Sequence, residues 1–156
     1  MLSRRQQHAR KTRNHRFQGE SGTVLMLMPV AVLIMFVLGA ITVDLTAVHA
    51  GQKDLLAAAT DAANDAATAG LDEAALRAGR GYQLDPSRVW LVAIDALATK
   101  GILDNLVTGP DVTINPDGSV TVSLAKRVPH LFARALPGAP DDELVRATAT
   151  ASVQQR

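Results

Sequence analysis

The sequence contains no cysteine and only five aromatic residues, Phe17, Phe36, Tyr82, Trp90 and Phe132. Without cysteine there can be no disulfide, no thiolate nucleophile and no cysteine-based metal site. So few rings argue against a large aromatic ligand pocket. The histidines, His8, His15, His49 and His130, show no HExxH or similar helical spacing, so no metal ligand set is expected. One stretch, Asp111-x-Thr113-x-Asn115-Pro116-Asp117-Gly118, has the look of a calcium loop. It fails because position six is Pro116 rather than glycine and position twelve, Val122, carries no acid. GxSxG, P-loop and dinucleotide fingerprints are all missing, so the sequence offers no catalytic residues and implies no cofactor.

A further absence organises the chain. Thr23 to Val43, TVLMLMPVAVLIMFVLGAITV, is a run of twenty-one residues without a charge. At about 1.5 Å per residue it would extend roughly 30 Å as a helix, the hydrocarbon thickness of a bilayer. The run is longer than a signal-peptide core and follows a longer basic region than export signals need. Cleavage at Val48-His49-Ala50 before Gly51 is the alternative, since that spacing of small residues suits a signal peptidase. Pro29 removes one backbone hydrogen bond inside the span, and Gly39 permits close approach of a neighbour.

Charge is divided about this span. Residues 1–22 hold Arg4, Arg5, Arg10, Lys11, Arg13 and Arg16 against Glu20 alone, whereas the remainder holds ten bases and fourteen acids. Basic flanks stay in the cytoplasm, which predicts a single-pass protein of the cytoplasmic membrane with its N-terminus inside and the rest extracytoplasmic or at the cell surface. The basic tail suits anionic headgroups better than nucleic acid, because no recognition element follows it.

Beyond Val43, Asp44 opens a polar segment predicted to continue the helix rigidly to about Ala78. Leu45, Val48, Leu55, Leu56, Ala59, Ala62, Ala63 and Ala66 form one stripe on a helical wheel, with small side chains suited to close packing. Asp54, Asp61, Asp65 and Asp72 line another arc, read as a solvated face. Gly51 and Gly70 are the expected bend points. Asp85 as N-cap and Pro86 at the first helical position predict a second helix over 87–100, closed by Gly101. Its apolar side would draw on Val89, Leu91, Val92, Ile94, Ala96 and Leu97, with Trp90 at an edge.

The period then changes to two. Val112 to Ile114 and Ser119 to Leu124 alternate about Asn115-Pro116-Asp117-Gly118, a hairpin turn signal. Residues 128–137 read as a short helix or irregular excursion, and Leu144 to Val153 as a third strand. The fold class is therefore α+β: a long membrane-spanning helix, an alanine-rich stem, then a small helix with a three-stranded antiparallel sheet. The boundaries are 1–22 for the basic tail, 23–43 for the span, 44–79 for the stem and 80–156 for the head.

Several of these segments together resemble the TadE/TadG-like family of the Flp (tight adherence, Tad) pilus assembly system, in its short actinobacterial form. The likeness lies in Gly19-Glu20-Ser21-Gly22 before a Pro29-containing apolar run, Ile41-Thr42-Val43-Asp44 at its outer end, and LLAAATDAANDAATAG from Leu55 to Gly70. It continues through the Val120 to Val122 strand, Pro129, Leu131-Phe132, Leu136-Pro137-Gly138 and the ATATA run from Ala147. This resemblance implies a pseudopilin-like, pilin-shaped component of pilus assembly or secretion that packs with other helices. Its partners would be the bilayer, pilin or pseudopilin subunits, Tad assembly-platform proteins and other copies of itself. Asp44 is the family-matching acid, and Gly19 and Gly22 are the candidate leader-cleavage positions. One departure stands out: the glutamate that type IV prepilins place five residues after the cleaved glycine is replaced by Leu27 or Val24, counting from Gly22 or Gly19. The alternative reading is a membrane-anchored extracytoplasmic domain that binds cell-wall polymer or protein and has no part in pili.

Overall fold

The computed structural model describes residues 20–135 and 137–153. Gly19, the basic tail and Leu136 lie outside the described residues. The chain divides into two compact units, Met1–Leu38 and Gly39–Arg156. Helix α1, Glu20–Ala69, contributes to both and contains Pro29.

In the first unit, every side chain described, from Leu25 onward, is exposed. Among the described residues α1 is the one helix long and apolar enough to cross a membrane. Exposed leucine, methionine and phenylalanine at this density are stable only in an apolar surrounding, so the helix is consistent with a single-pass membrane anchor.

The second unit is α+β, as its periodicities predict. After α1 come α2 (Glu73–Arg77), α3 (Pro86–Thr99), strands β1 (Asp111–Ile114) and β2 (Val120–Pro129), and β3 (Asp142–Ala151). The sheet is antiparallel in the order β1-β2-β3, with Val122 opposite Val112 on one side and Ala149 on the other. Asn115 to Gly118 makes the β1–β2 turn: Gly118 N–H donates to Asn115 O at 2.9 Å, and Gly118 has φ of 79°. The Asp117 carboxylate accepts from the Ser119 amide at 2.9 Å and from its hydroxyl at 2.7 Å, which fixes the turn from inside.

The core is built from small residues on α1. Val48, Leu55, Ala58, Ala59, Ala62, Ala63, Ala66 and Ala67 are buried together with Val89, Ala93 and Leu97 of α3 and the inner face of the sheet. That face carries Val120, Val122, Leu124, Val145 and Ala147, while Thr121, Ser123, Thr148 and Thr150 look outward. The alanines let helix and sheet approach closely. Two glycines extend this closeness. A Cβ on Gly51 would come within 2.6 Å of Val128 Cγ2, and one on Gly70 within 2.3 Å of the Ala66 carbonyl oxygen and 2.5 Å of Val89 Cγ2.

Several sequence expectations require correction. The stem helix ends at Ala69 rather than near Ala78, because the chain turns at Gly70. There Leu71 bridges to Leu84, and Asp72 N–H donates to Gln83 O at 2.8 Å. Asp72 is therefore not part of the acidic arc of α1; its carboxylate caps α2 through Ala74 N and Ala75 N. Leu45 and Leu56, expected on the packing stripe, are 68% and 47% exposed. On the helical wheel they share a flank with Ala63 and Ala67, which are buried, so that flank is covered farther along α1 and open at the level of Leu45 and Leu56. Leu91 is likewise exposed, since the buried line of α3 follows Val89, Ala93 and Leu97. Strand β2 runs five residues beyond its predicted end at Leu124, and β3 begins at Asp142 rather than Leu144.

The glycine approach predicts a clear contrast. Gly70→Ala should destabilise the head by about 1–3 kcal/mol through overpacking, read as a lower midpoint in denaturant unfolding. Gly39→Ala, whose Cβ would meet nothing within 4 Å, should leave that midpoint unchanged.

Candidate functional site

Asp44 stands one residue beyond the apolar run, on the face of α1 that also carries Val48 and Leu55. At 6% exposure it is the one buried charged side chain among the described residues. A carboxylate removed from water requires donors, and the backbone amides of a helix interior are already committed to the helix. They come instead from the segment after β2. Leu131 N–H donates to Oδ1 at 2.6 Å, Phe132 N–H to Oδ1 at 3.0 Å and Oδ2 at 3.2 Å, and Ala133 N–H to Oδ2 at 2.7 Å. Three successive amides pointing at one anion form a concave backbone nest.

The local sequence explains why this segment can present them. Pro129 ends β2, and His130 N–H donates to Asp141 O at 2.9 Å, which closes the neck of an excursion over 130–141. Inside it, a short 3₁₀ turn over Ala133–Ala135 begins, with Ala135 N–H on Phe132 O at 3.0 Å. The first amides of such a turn have no partner within it. Asp44 caps the turn from 87 residues away in sequence.

Burial alone would raise the Asp44 pKa. The amides of Phe132, Ala133 and Leu131, with the nearby imidazole of His130, outweigh that effect and hold it below its ordinary value of 3.8. His130 Nδ1 is buried with no hydrogen-bond partner. Asp117 is also lowered, first by the Ser119 hydroxyl and then by its amide.

Both Asp44 oxygens are occupied by amides, so the carboxylate acts as a tie between α1 and the excursion. The other sequence-singled residues are not brought to this point. Val48, Leu55, Ala59, Ala63 and Ala66 are buried in the head core, and Asp54, Asp61 and Asp65 face outward. Thr23, Gly22, Pro29, Gly39 and Val43 all lie within α1, Gly39 and Val43 on exposed surface. The sequence marks Asp44 by the family likeness alone and gives no indication of its partners. The available signal is an acid at the very end of an apolar run on the packing face of its helix.

No family model, no curated protein and no solved structure matches this chain.

Because the folded pKa of Asp44 is depressed, the stability it contributes is complete above 3.8 and disappears as pH falls through the folded value. Asp44→Asn should therefore lower the urea midpoint of the head at pH 7, since the amide presents N–H to N–H. The gap between wild type and variant should narrow below pH 3.8.

Proposed function

We propose that this chain is a membrane-anchored, pseudopilin-like component of Flp/Tad-type pilus assembly or secretion, joined to partner subunits by helix packing within the bilayer. The observation that carries the reading is the division of labour along α1: apolar and almost wholly exposed from Leu25 to Val43, then with one face buried in its own α+β head from Val48. A helix so divided leaves its apolar part as the surface for other membrane helices. The alanine stripe is not that surface, because Ala59 and Ala63 are at 0% exposure within the head. Gly39, with open space where a Cβ would stand, supports close helix approach at that level. The basic tail of the sequence supports an N-terminus inside and an extracytoplasmic head.

A second reading, an extracytoplasmic domain binding cell-wall polymer, draws on the exposed hydroxyl ladder of the sheet. Thr121 and Thr150 Oγ1 lie 2.9 Å apart, and Ser123 Oγ and Thr148 Oγ1 3.1 Å. These hydroxyls already bond one another, which leaves them less to offer a polymer and favours the first reading.

Photo-crosslinking from Met35 in native membranes tests the proposal. The expected products join the chain to a pilin or assembly-platform helix, with yield reduced severalfold by Gly39→Leu and head stability unchanged. If deleting the chain leaves surface fibres intact and Met35 captures only lipid, the pilus role is wrong. Retention of the full chain on isolated cell wall, lost in Thr148→Val with Thr150→Val, would establish the second reading instead.

A further inference from the structure

Leu131 and Phe132, whose amides are held by Asp44, expose their side chains: 53% and 50%. They form an exposed apolar tip beside the neck of the excursion, and their amides are fixed by the carboxylate. The carboxylate that holds them follows Val43 directly, so the tip lies beside α1 at the end of the apolar run. Leu45, the next residue on the helix, is also exposed and extends the apolar surface past that end.

An exposed Leu-Phe pair in a loop is ordinarily held out of lipid by its own backbone, since unsatisfied amides are costly in a poorly hydrated layer. Here that cost is reduced. The amides of 131, 132 and 133 all bond Asp44, and Phe132 O accepts from Ala135. Arg134, exposed in the same turn, has a stem long enough to lie along lipid while its guanidinium reaches the headgroups. Charge is not the attraction. Asp141, Asp142 and Glu143 stand at the neck of the excursion, and among the described residues Asp142 is the one of the three in an ion pair, with Arg127 at 2.6 Å. Those acids disfavour an anionic surface, and the apolar tip needs none.

We propose that Leu131 and Phe132 insert into the interfacial layer of the bilayer leaflet at the Val43 end of the span, so that the head is seated on lipid rather than suspended above it. Apolar side chains of this kind enter roughly 5–10 Å into the boundary between headgroups and acyl chains. Asp44 is then a positioning residue that sets the depth of the tip. The proposal rests on the membrane-span reading of α1 and is independent of any role in pili.

The absence of cysteine makes the test direct. The full chain is reconstituted in phosphatidylcholine vesicles with an environment-sensitive dye on Phe132→Cys, on Leu131→Cys as a second reporter, on Leu33→Cys within the span, and on Ser152→Cys beyond β3. Lipids spin-labelled near the headgroup and soluble iodide serve as the two quenchers. Insertion predicts blue-shifted emission at 131 and 132 that is lost to the lipid quencher and resists iodide, with 33 also lipid-quenched and 152 iodide-quenched. Iodide quenching at 131 and 132 with 33 still in lipid overturns the proposal and leaves the span intact. Shielding of 131 and 132 from both quenchers would mean that a second copy covers the tip, which also overturns it. If 33 escapes the lipid quencher, the span reading fails and the proposal falls with it.

Discussion

A single buried carboxylate sets the plan of this molecule. Asp44 ends the uncharged run, and a charge on the inner face of a helix cannot remain without donors. Its own helix has none to give. The demand is met by three amides of an excursion that the strands deliver from the far end of the chain. The same contact satisfies both sides: the anion gains donors, and the first turn of a 3₁₀ segment gains the cap it lacks. That bond fixes the excursion to α1 at Asp44.

From Asp44 onward the packing is governed by closeness rather than bulk. Few large side chains are fully buried, Leu55 and Leu97 chief among them, and the helix offers mainly alanine to its neighbours. Small residues lower the apolar area each contact hides, but they let sheet and helices meet at short range, where dispersion is strongest. Gly51 and Gly70 mark close approaches to β2 and α3. The exposed side of the sheet carries paired hydroxyls, which suit water. Most of the stem stripe is used inside the head, and the exposed apolar surface of α1 lies mainly from Leu25 to Leu45.

Much of this was legible in the sequence because its signals are local. The Asp85-Pro86 start of α3 and the Asn-Pro-Asp-Gly turn each depend on residues a few positions apart and appear where expected, and the uncharged run falls within one long apolar helix. Other features depend on distant partners and left no local trace. Nothing near Asp44 announces Leu131 to Ala133, and nothing in VPHLFARALP announces an anion. The overlong stem has the same cause. Alanine propensity runs on past Gly70, but pairing of Leu71 with Leu84 and the Asp72 cap of α2 turn the chain. Leu45 and Leu56 fit the wheel but not the cover, because a wheel shows direction and not how far along the helix a neighbour reaches.

The central claim is that Asp44 holds the 131–133 amides and thereby fixes the excursion to α1. Amide hydrogen exchange on the full chain in lipid, comparing wild type with Asp44→Asn, tests it most directly. The account predicts slow exchange at Leu131, Phe132 and Ala133 in the wild type, and fast exchange there in the variant, with β1 and the centre of β2 still protected. Equal protection of these three amides in both proteins would contradict it.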